Sequence, residues 1–535
     1  MYEPAGPVPY AERKYTGRIR KRTDCTVKGG LLFSGDGSQI KEDDPRQDRR
    51  MFIDLAGVGF TIQDIAGICG GSVTRDGIDS LRVCSVCTDS REAVPGCLFL
   101  ALRGVRSDGH RYISVAAEKG AAAVLCEEMP AEEIDIPAIL VPNTVEALGK
   151  LAKAHAEKSA ARRVAVTGSV GKTTTKEMIA GVLSYKKCFR TTGNFNSVIG
   201  MPMSLLTLPA DSDFAVFELG LVFDVGFRDR GQIAHMSGVV SPEIAVVTNV
   251  GSSHLEHFSG RKELIDEKLS VAEGLSADGT LLLPASLYKE AGDRTGKWQG
   301  RHVRTFSVTG EAADYSAVRL AETSAGQTFD MIGPDGHVLP LSIGLYGIHN
   351  VQAALIAAAV GTMEGIPDAE IQKALAAYTP FALRQEVQHI GAVTLILDCY
   401  NASPESMRAA CGVLTGKSVR AARTVALLGD MLELGPQSEQ MHYDTGRYFA
   451  EHGLDYLLAF GERAAKIAEG AAETMPADRI LRFPDKENAA APAEWLYRML
   501  RPGDALLIKA SRGMAAERIR DVLAEKYRDD KKKST

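Results

Sequence analysis

Val164-Ala165-Val166-Thr167-Gly168-Ser169-Val170-Gly171-Lys172-Thr173-Thr174-Thr175-Lys176 is the stretch from which the rest of the chain can be read. A run of aliphatic and β-branched residues, typical of a buried strand, enters a turn with two glycines, and residues 177–182 continue with helical spacing. Glycines let backbone N–H groups approach phosphate oxygens, and a helix N-terminus behind them adds favourable polarity for an anion. In such a loop Lys172 reaches the β- and γ-phosphates of a nucleotide and the Thr173 hydroxyl binds Mg2+, while Gly168, Ser169, Val170, Gly171 and Thr174 complete the cradle. The widespread phosphate-loop pattern has four residues between its glycines, whereas two separate Gly168 from Gly171. A chance glycine turn is the competing reading, and the succession of strand, Lys-Thr pair and helix argues against it.

On either side of this loop the chain alternates between strand and helix patterns, so the expected fold class is α/β. Upstream, residues 62–69, 112–119 and 145–158 read as helices, and 81–86, 97–102, 121–126 and 138–141 as short strands. Downstream, residues 163–167, 214–218, 244–249 and 280–283 read as buried parallel strands, followed by an alanine-rich helix over 350–361. A third run supplies strands at 395–398, 425–428, 456–460 and 505–508. The expected division is an extension over 1–55, a small α/β domain over 56–158, a central phosphate-loop domain with a parallel sheet over 159–382, and a Rossmann-like domain over 383–528. Residues 1–50 hold 11 Lys and Arg against 8 Asp and Glu with little periodicity, and the extension is expected to be disordered. The charged tail, 528–535, is expected to be frayed.

Polar residues follow several strands, as they do at the ligand edge of open α/β sheets. Glu218 ends one strand, where an acid can face a nucleotide's metal ion. His254 follows the next, in Gly251-Ser252-Ser253-His254, and Lys268 lies fourteen positions on in a helical pattern. Taken singly, these are ordinary loop or surface residues. Further clusters are Gly347-Ile348-His349-Asn350, Asp398-Cys399-Tyr400-Asn401, Gly429-Asp430-Met431-Leu432-Glu433 and Lys509-Ala510-Ser511-Arg512.

Composition narrows the classes. With 62 Lys and Arg against 68 Asp and Glu, the net charge of −6 carries no basic footprint for nucleic acid. Hydrophobic residues at 45% and charged residues at 24% fit a soluble globular protein long enough for several domains. Apolar runs such as 353–361 fall far short of the ~20 residues that span a bilayer, and no export signal is recognisable near the start. The nine cysteines are scattered and odd in number, which fits a reducing cytosol, so a cytoplasmic location is expected. Cys84 and Cys87 form a CxxC with no second pair to complete a zinc site, and read as structural.

Taken together, these segments resemble the Mur ligases, ATP-dependent amide-forming enzymes of peptidoglycan precursor synthesis. The short loop 167–176 is similar to that family's version of the phosphate loop. Thr88-Asp89-Ser90-Arg91, Gly193-Asn194-Phe195-Asn196 and Tyr400-Asn401-Ala402-Ser403-Pro404 make the chain most similar to members that add D-alanyl-D-alanine to a UDP-N-acetylmuramoyl-tripeptide. The resemblance covers residues 60–525. It implies an N-terminal domain for the UDP-sugar, a central ATPase domain, a C-terminal domain closing over both, and a monomer. It further implies two Mg2+ ions held by Thr173, Glu218, His254 and a carbamylated Lys268, with Lys172, Glu218, His254 and Lys268 as the catalytic set. His349, Asn350, Arg384 and Asp398 would border the nucleotide. Ser90, Arg91, Asn194 and Asn196 belong with the UDP-linked substrate, and Asn401, Lys509, Ser511 and Arg512 with the incoming dipeptide.

The chain departs from the family pattern in a longer loop, 222–230, in Ser197 and Ser270, and in Ala510 of Lys509-Ala510-Ser511-Arg512. The alternatives are a Mur-type ligase adding the third residue, a folylpolyglutamate synthase, a non-ligase phosphate-loop protein, or a degenerate homologue. The third-residue enzymes carry an Asp-Asn-Pro that is absent here.

Overall fold

The computed structural model describes residues 52–54 and 59–534, apart from 76, 78–79, 106, 131–132, 194, 224–226, 228–229, 293–300, 324, 381–382, 417–418 and 420. Nearly all of the expected extension lies outside the described residues, as do Asn194 and part of the 222–230 loop. All described residues fall in one compact unit, Glu42–Thr535.

Among the described residues, three main sheets follow one another along the chain. The first has six strands, in the order Phe52–Asp54, Ser85–Cys87, Cys97–Leu100, Ala123–Cys126, Ala138–Leu140 and Ser72–Val73, parallel in its middle and antiparallel at both edges. Sequence reading expected one strand over 81–86. Two form instead: Arg82–Val83 pairs with Phe60–Thr61, and Ser85–Cys87 joins the main sheet. Cys87 Sγ lies 3.6 Å from Cys97 Sγ inside this domain, both thiols fully buried.

The central sheet has nine strands. Arg162–Thr167 lies between Phe214–Glu218 and Ile244–Val247, all parallel, so the three chain segments that follow these strands emerge side by side. Their aliphatic side chains are buried on both faces, as parallel strands covered by helices require. The helices Lys172–Leu183 and Ile348–Met363 pack on one face through Ile179, Val182, Leu355 and Ala358. The sheet then continues through Thr280–Pro284 and His302–Ser307 into an antiparallel meander, Tyr315–Thr323, Gly326–Ile332 and Val338–Ile343. The sequence pattern holds no expectation of this meander.

The third sheet runs Glu386–Ile390, Val393–Asp398, Ala505–Lys509, Thr424–Gly429, Tyr456–Phe460 and Ile480–Phe483, parallel except at its first strand. The tail expected to fray is helical instead: Glu517–Ser534 forms one helix, anchored by Ile519 and Leu523 in the core and by Tyr527 against Tyr497. Among the described residues, no helix is long and apolar enough to cross a membrane.

Candidate active site

The phosphate loop is held from below by the neighbouring strand end. Thr248 Oγ1 and Asn249 Nδ2 donate to the Val170 carbonyl at 2.7 and 3.0 Å, while Val170 N donates to Asn249 Oδ1 at 2.9 Å. Gly168 has φ 145°, and a Cβ there would lie 2.0 Å from Thr248 Oγ1, so only glycine permits this approach. Gly171 (φ 81°) opens the helix Lys172–Leu183 without a side-chain cap, which leaves the N–H groups of its first turn for an anion. Lys172 Nζ donates to the carbonyls of Gly168 and Ser169 at 2.8 and 3.2 Å and arches over the loop. Burial pushes its pKa down, against the pull of the Glu218 carboxylate.

Glu218, at the end of its strand, is buried and fully engaged. Thr173 Oγ1 donates to Oε2 at 2.8 Å, and Asn196 Nδ2 donates to Oε1 at 2.8 Å. Burial alone would raise this carboxyl, but Lys176, then Lys172 and Arg384, hold it below the ordinary value. Lys176 itself is fully buried, donating to Thr191 O at 2.7 Å and paired with Glu177.

His254 occupies a left-handed turn (φ 65°), with Nδ1 2.9 Å from Oε2 of Glu433, a residue of the third-sheet segment. Burial lowers its pKa, opposed by Glu433. Lys268 is fully buried on the helix Arg261–Leu269, and its Nζ has no hydrogen-bond partner among the described residues. Burial, then Lys172, depresses its pKa well below that of a free lysine. Its neighbour Glu267 points elsewhere: it accepts from Gly231 N and Ile233 N at 2.8 and 3.1 Å, capping the helix Gln232–Val240. The oxygens of Thr173 and Glu218 suit a hard divalent cation. A buried, unpartnered lysine amine with a depressed pKa fits carbamylation, because only the free amine adds CO2 and the product carries metal-binding oxygens.

The third-sheet segment closes this edge. Arg384 lies 4.0 Å over the Tyr400 ring. Asn350 Nδ2 donates to Gln385 Oε1 at 2.7 Å, and Gln385 Nε2 sits 2.8 Å from His349 Nε2. Lys509 is buried, donating to Asp398 Oδ2 at 2.6 Å and to Asn401 O at 3.2 Å, so among the residues expected near the dipeptide its charge is already matched. Ser511 Oγ accepts from Leu432 N, Arg512 pairs with Glu517, and Asn401 is exposed. In the first domain Ser90 is buried, while Arg91 is 84% exposed and held bidentately by Asp89. Sequence reading assigned no role to Asn249, Thr191, Gln385, Glu405 or Glu433. Glu433 and Glu405 stand within motifs the sequence offers, Thr191 and Asn249 lie just past strand ends, and Gln385, one residue before the strand Glu386–Ile390, carries no local signal.

Comparison with known proteins agrees with this architecture. Residues 82–156 match the model of the Mur ligase family catalytic domain, 166–361 the Mur ligase middle domain, and 383–512 the Mur ligase glutamate ligase domain. The UDP-N-acetylmuramoyl-tripeptide–D-alanyl-D-alanine ligase of Bacillus subtilis is 33% identical over 463 residues, spanning 86% of this chain and 97% of that protein. The Escherichia coli enzyme of the same name is 33% identical over 476 residues, spanning 88% and 99%. A crystal structure of MurF from Acinetobacter baumannii superposes with a TM-score of 0.78 at 29% identity, covering 88% of this chain and 99% of that one. MurF ligase from Thermotoga maritima in complex with ADP gives 0.72 at 26%, covering 83% and 98%. Similar to such relatives almost from end to end, the chain belongs to the Mur ligase family of ATP-dependent ligases.

Proposed function

We propose that the chain joins D-alanyl-D-alanine to UDP-N-acetylmuramoyl-tripeptide at the expense of ATP, forming the pentapeptide precursor of peptidoglycan. The observation that carries this reading is the phosphate loop's Thr173 bonded to Glu218, with the buried and unpartnered Lys268 amine in electrostatic reach of Lys172 and His254. Lys172 and the first-turn N–H groups of its helix bind and orient the triphosphate, so that the tripeptide's terminal carboxylate attacks the γ-phosphorus in line. ADP leaves, and the carboxylate becomes an acyl phosphate with a good leaving group. The dipeptide's amine then adds to the acyl carbon, and the tetrahedral intermediate expels phosphate.

Thr173 and Glu218 would hold one Mg2+, and His254 with carbamylated Lys268 a second; bound there, these ions offset the charge on the phosphates. Asn196 fixes the Glu218 carboxylate, and Glu433 orients the His254 ring. His349, Asn350, Arg384 and Asp398 border the nucleotide. Ser90, Arg91 and Asn196 serve the UDP-linked substrate, as would Asn194, while Asn401, Ser511 and Arg512 serve the dipeptide, with Lys509 bracing Asp398. We further assign the reaction to the cytoplasm and to a monomer.

The test is coupled ADP release with purified protein and UDP-muramoyl-tripeptides carrying diaminopimelate or lysine. Release should require both tripeptide and D-alanyl-D-alanine, and the product should gain the mass of the dipeptide less water. Full-rate ADP release without the dipeptide would refute ligation.

A further inference from the structure

The segment joining the central sheet to the third sheet places a glutamine where it dictates the polarity of two residues bordering the nucleotide. Gln385 is buried, with φ 51°, and Leu383 has φ 64°; both backbones lie in the left-handed region. The hydrogen bonds around Gln385 can be oriented without ambiguity, because one end of the chain is a backbone carbonyl. Tyr346 O can only accept, and Asn350 Nδ2 lies 2.8 Å from it. The same Nδ2 gives its other hydrogen to Gln385 Oε1 at 2.7 Å. Gln385 must therefore turn its amide nitrogen to His349 Nε2, 2.8 Å away. A neutral imidazole that accepts at one nitrogen carries its proton on the other. The neutral ring of His349 is thus the Nδ1–H tautomer, and burial lowers its pKa, disfavouring the charged form.

His349 Nδ1 is buried and has no hydrogen-bond partner among the described residues. The ring fits because residue 347 is glycine: a Cβ there would lie 2.6 Å from His349 Cε1 and 2.9 Å from Nδ1. Both hydrogens of Asn350 Nδ2 are spent, which leaves its Oδ1 as an acceptor. A donor on His349 and an acceptor on the adjacent residue Asn350 are the two kinds of group that match the amino group and adjacent ring nitrogen of adenine, whereas guanine presents an oxygen in place of that amino group.

We infer that Gln385 is a positioning residue that selects the Nδ1–H tautomer of His349 and the orientation of the Asn350 amide, so that the interdomain segment sets the base preference of the nucleotide site. This rests on the reading that His349 and Asn350 border the base.

The test is steady-state kinetics of the full chain with ATP and GTP at pH 9, where a free imidazole is uncharged. Gln385→Glu keeps an acceptor for Asn350 but demands a proton on His349 Nε2, which strips it from Nδ1. The expected result is an ATP KM raised about tenfold, as the loss of one buried hydrogen bond implies, with a reduced preference for ATP over GTP and kcat within about threefold. Gln385→Met, which removes both bonds, should shift KM and base preference in the same direction. An unchanged ATP KM and ATP/GTP ratio in both variants would overturn the inference. So would a loss of kcat and melting temperature with the ATP/GTP ratio intact, which marks a merely structural residue. Asn350→Ala separates the two readings. A raised ATP KM there with silent Gln385 variants overturns only the role of Gln385, whereas an unchanged KM removes the base from this wall and both readings with it.

Discussion

A primary amine that has no exposed surface and no acceptor among the described residues, as at Lys268, is held more cheaply uncharged than charged. Between its depressed folded pKa and the ordinary 10.5, the unfolded chain binds one proton more than the folded one. Stability therefore rises with pH across that window, and the penalty of burying Lys268 is largest below it. In CO2-free buffer, Lys268→Met should raise the melting temperature at pH 7 by on the order of a few degrees, and the gap to the parent should shrink as the pH approaches 10. Activity should behave oppositely, lost in the variant and dependent on bicarbonate in the parent. A gap that does not change with pH would show that the amine is not buried uncharged. Gly168 makes a second case, in which a backbone position matters more than a side chain. Gly168→Ala would combine a φ of 145° with a Cβ 2.0 Å from Thr248 Oγ1. Strain of this kind costs about 1–3 kcal/mol. It should emerge as a lower melting temperature and a loss of turnover on the order of a hundredfold, with the UDP-substrate KM little changed.

Secondary structure was most legible where one element sufficed to define it. The strand Phe214–Glu218 and the helix Ile62–Cys69 coincide with the expected segments, because aliphatic runs and a Thr61 capping box are local signals. The meander over 315–343 escapes the sequence pattern for equally local reasons. Tyr315–Thr323 is largely exposed along its second half and slips register between Val318 and Ala321, around Arg319 at φ 52°, while Val338–Ile343 carries Pro340 on an edge strand. Glu267 shows how one element positions another. Its carboxylate caps the helix Gln232–Val240, whose N-cap Gly231 offers no side chain of its own, and so ties the Lys268-bearing helix to its neighbour. Glu267→Ala should cost roughly 1–3 kcal/mol in chemical denaturation, since two charge-assisted bonds are lost, and Glu267→Gln clearly less. Equal losses in the two variants would argue that packing rather than capping is at stake.

At the scale of the whole molecule, the motifs that carry chemistry could be read singly, but their meeting could not. Ser252 and Glu405 stand 153 positions apart, and nothing local in either segment announces the other. Glu405 Oε1 accepts from both Ser252 N at 3.0 Å and Ser252 Oγ at 2.7 Å, and a Cβ on Gly251 would lie 2.9 Å from the Glu405 carboxyl carbon. Gly435 abuts Glu256 in the same loop, and Glu433 reaches His254. The third-sheet segment is thus docked on the loop bearing His254 through a few short contacts, while the joining residues Leu383 and Gln385 hold left-handed backbones that cost energy unless such contacts persist. Domain closure of this kind completes a site and excludes water. A carboxylate accepting two hydrogen bonds contributes about 1.5–3 kcal/mol to the docked state, so Glu405→Ala should shift the population towards an open arrangement. The expected outcome is a larger radius of gyration by small-angle scattering and a kcat reduced about tenfold or more. Glu405→Gln, which can still accept from Ser252, should fall between variant and parent. Scattering and kcat that match the parent in Glu405→Ala would show that the two segments stay together without this contact.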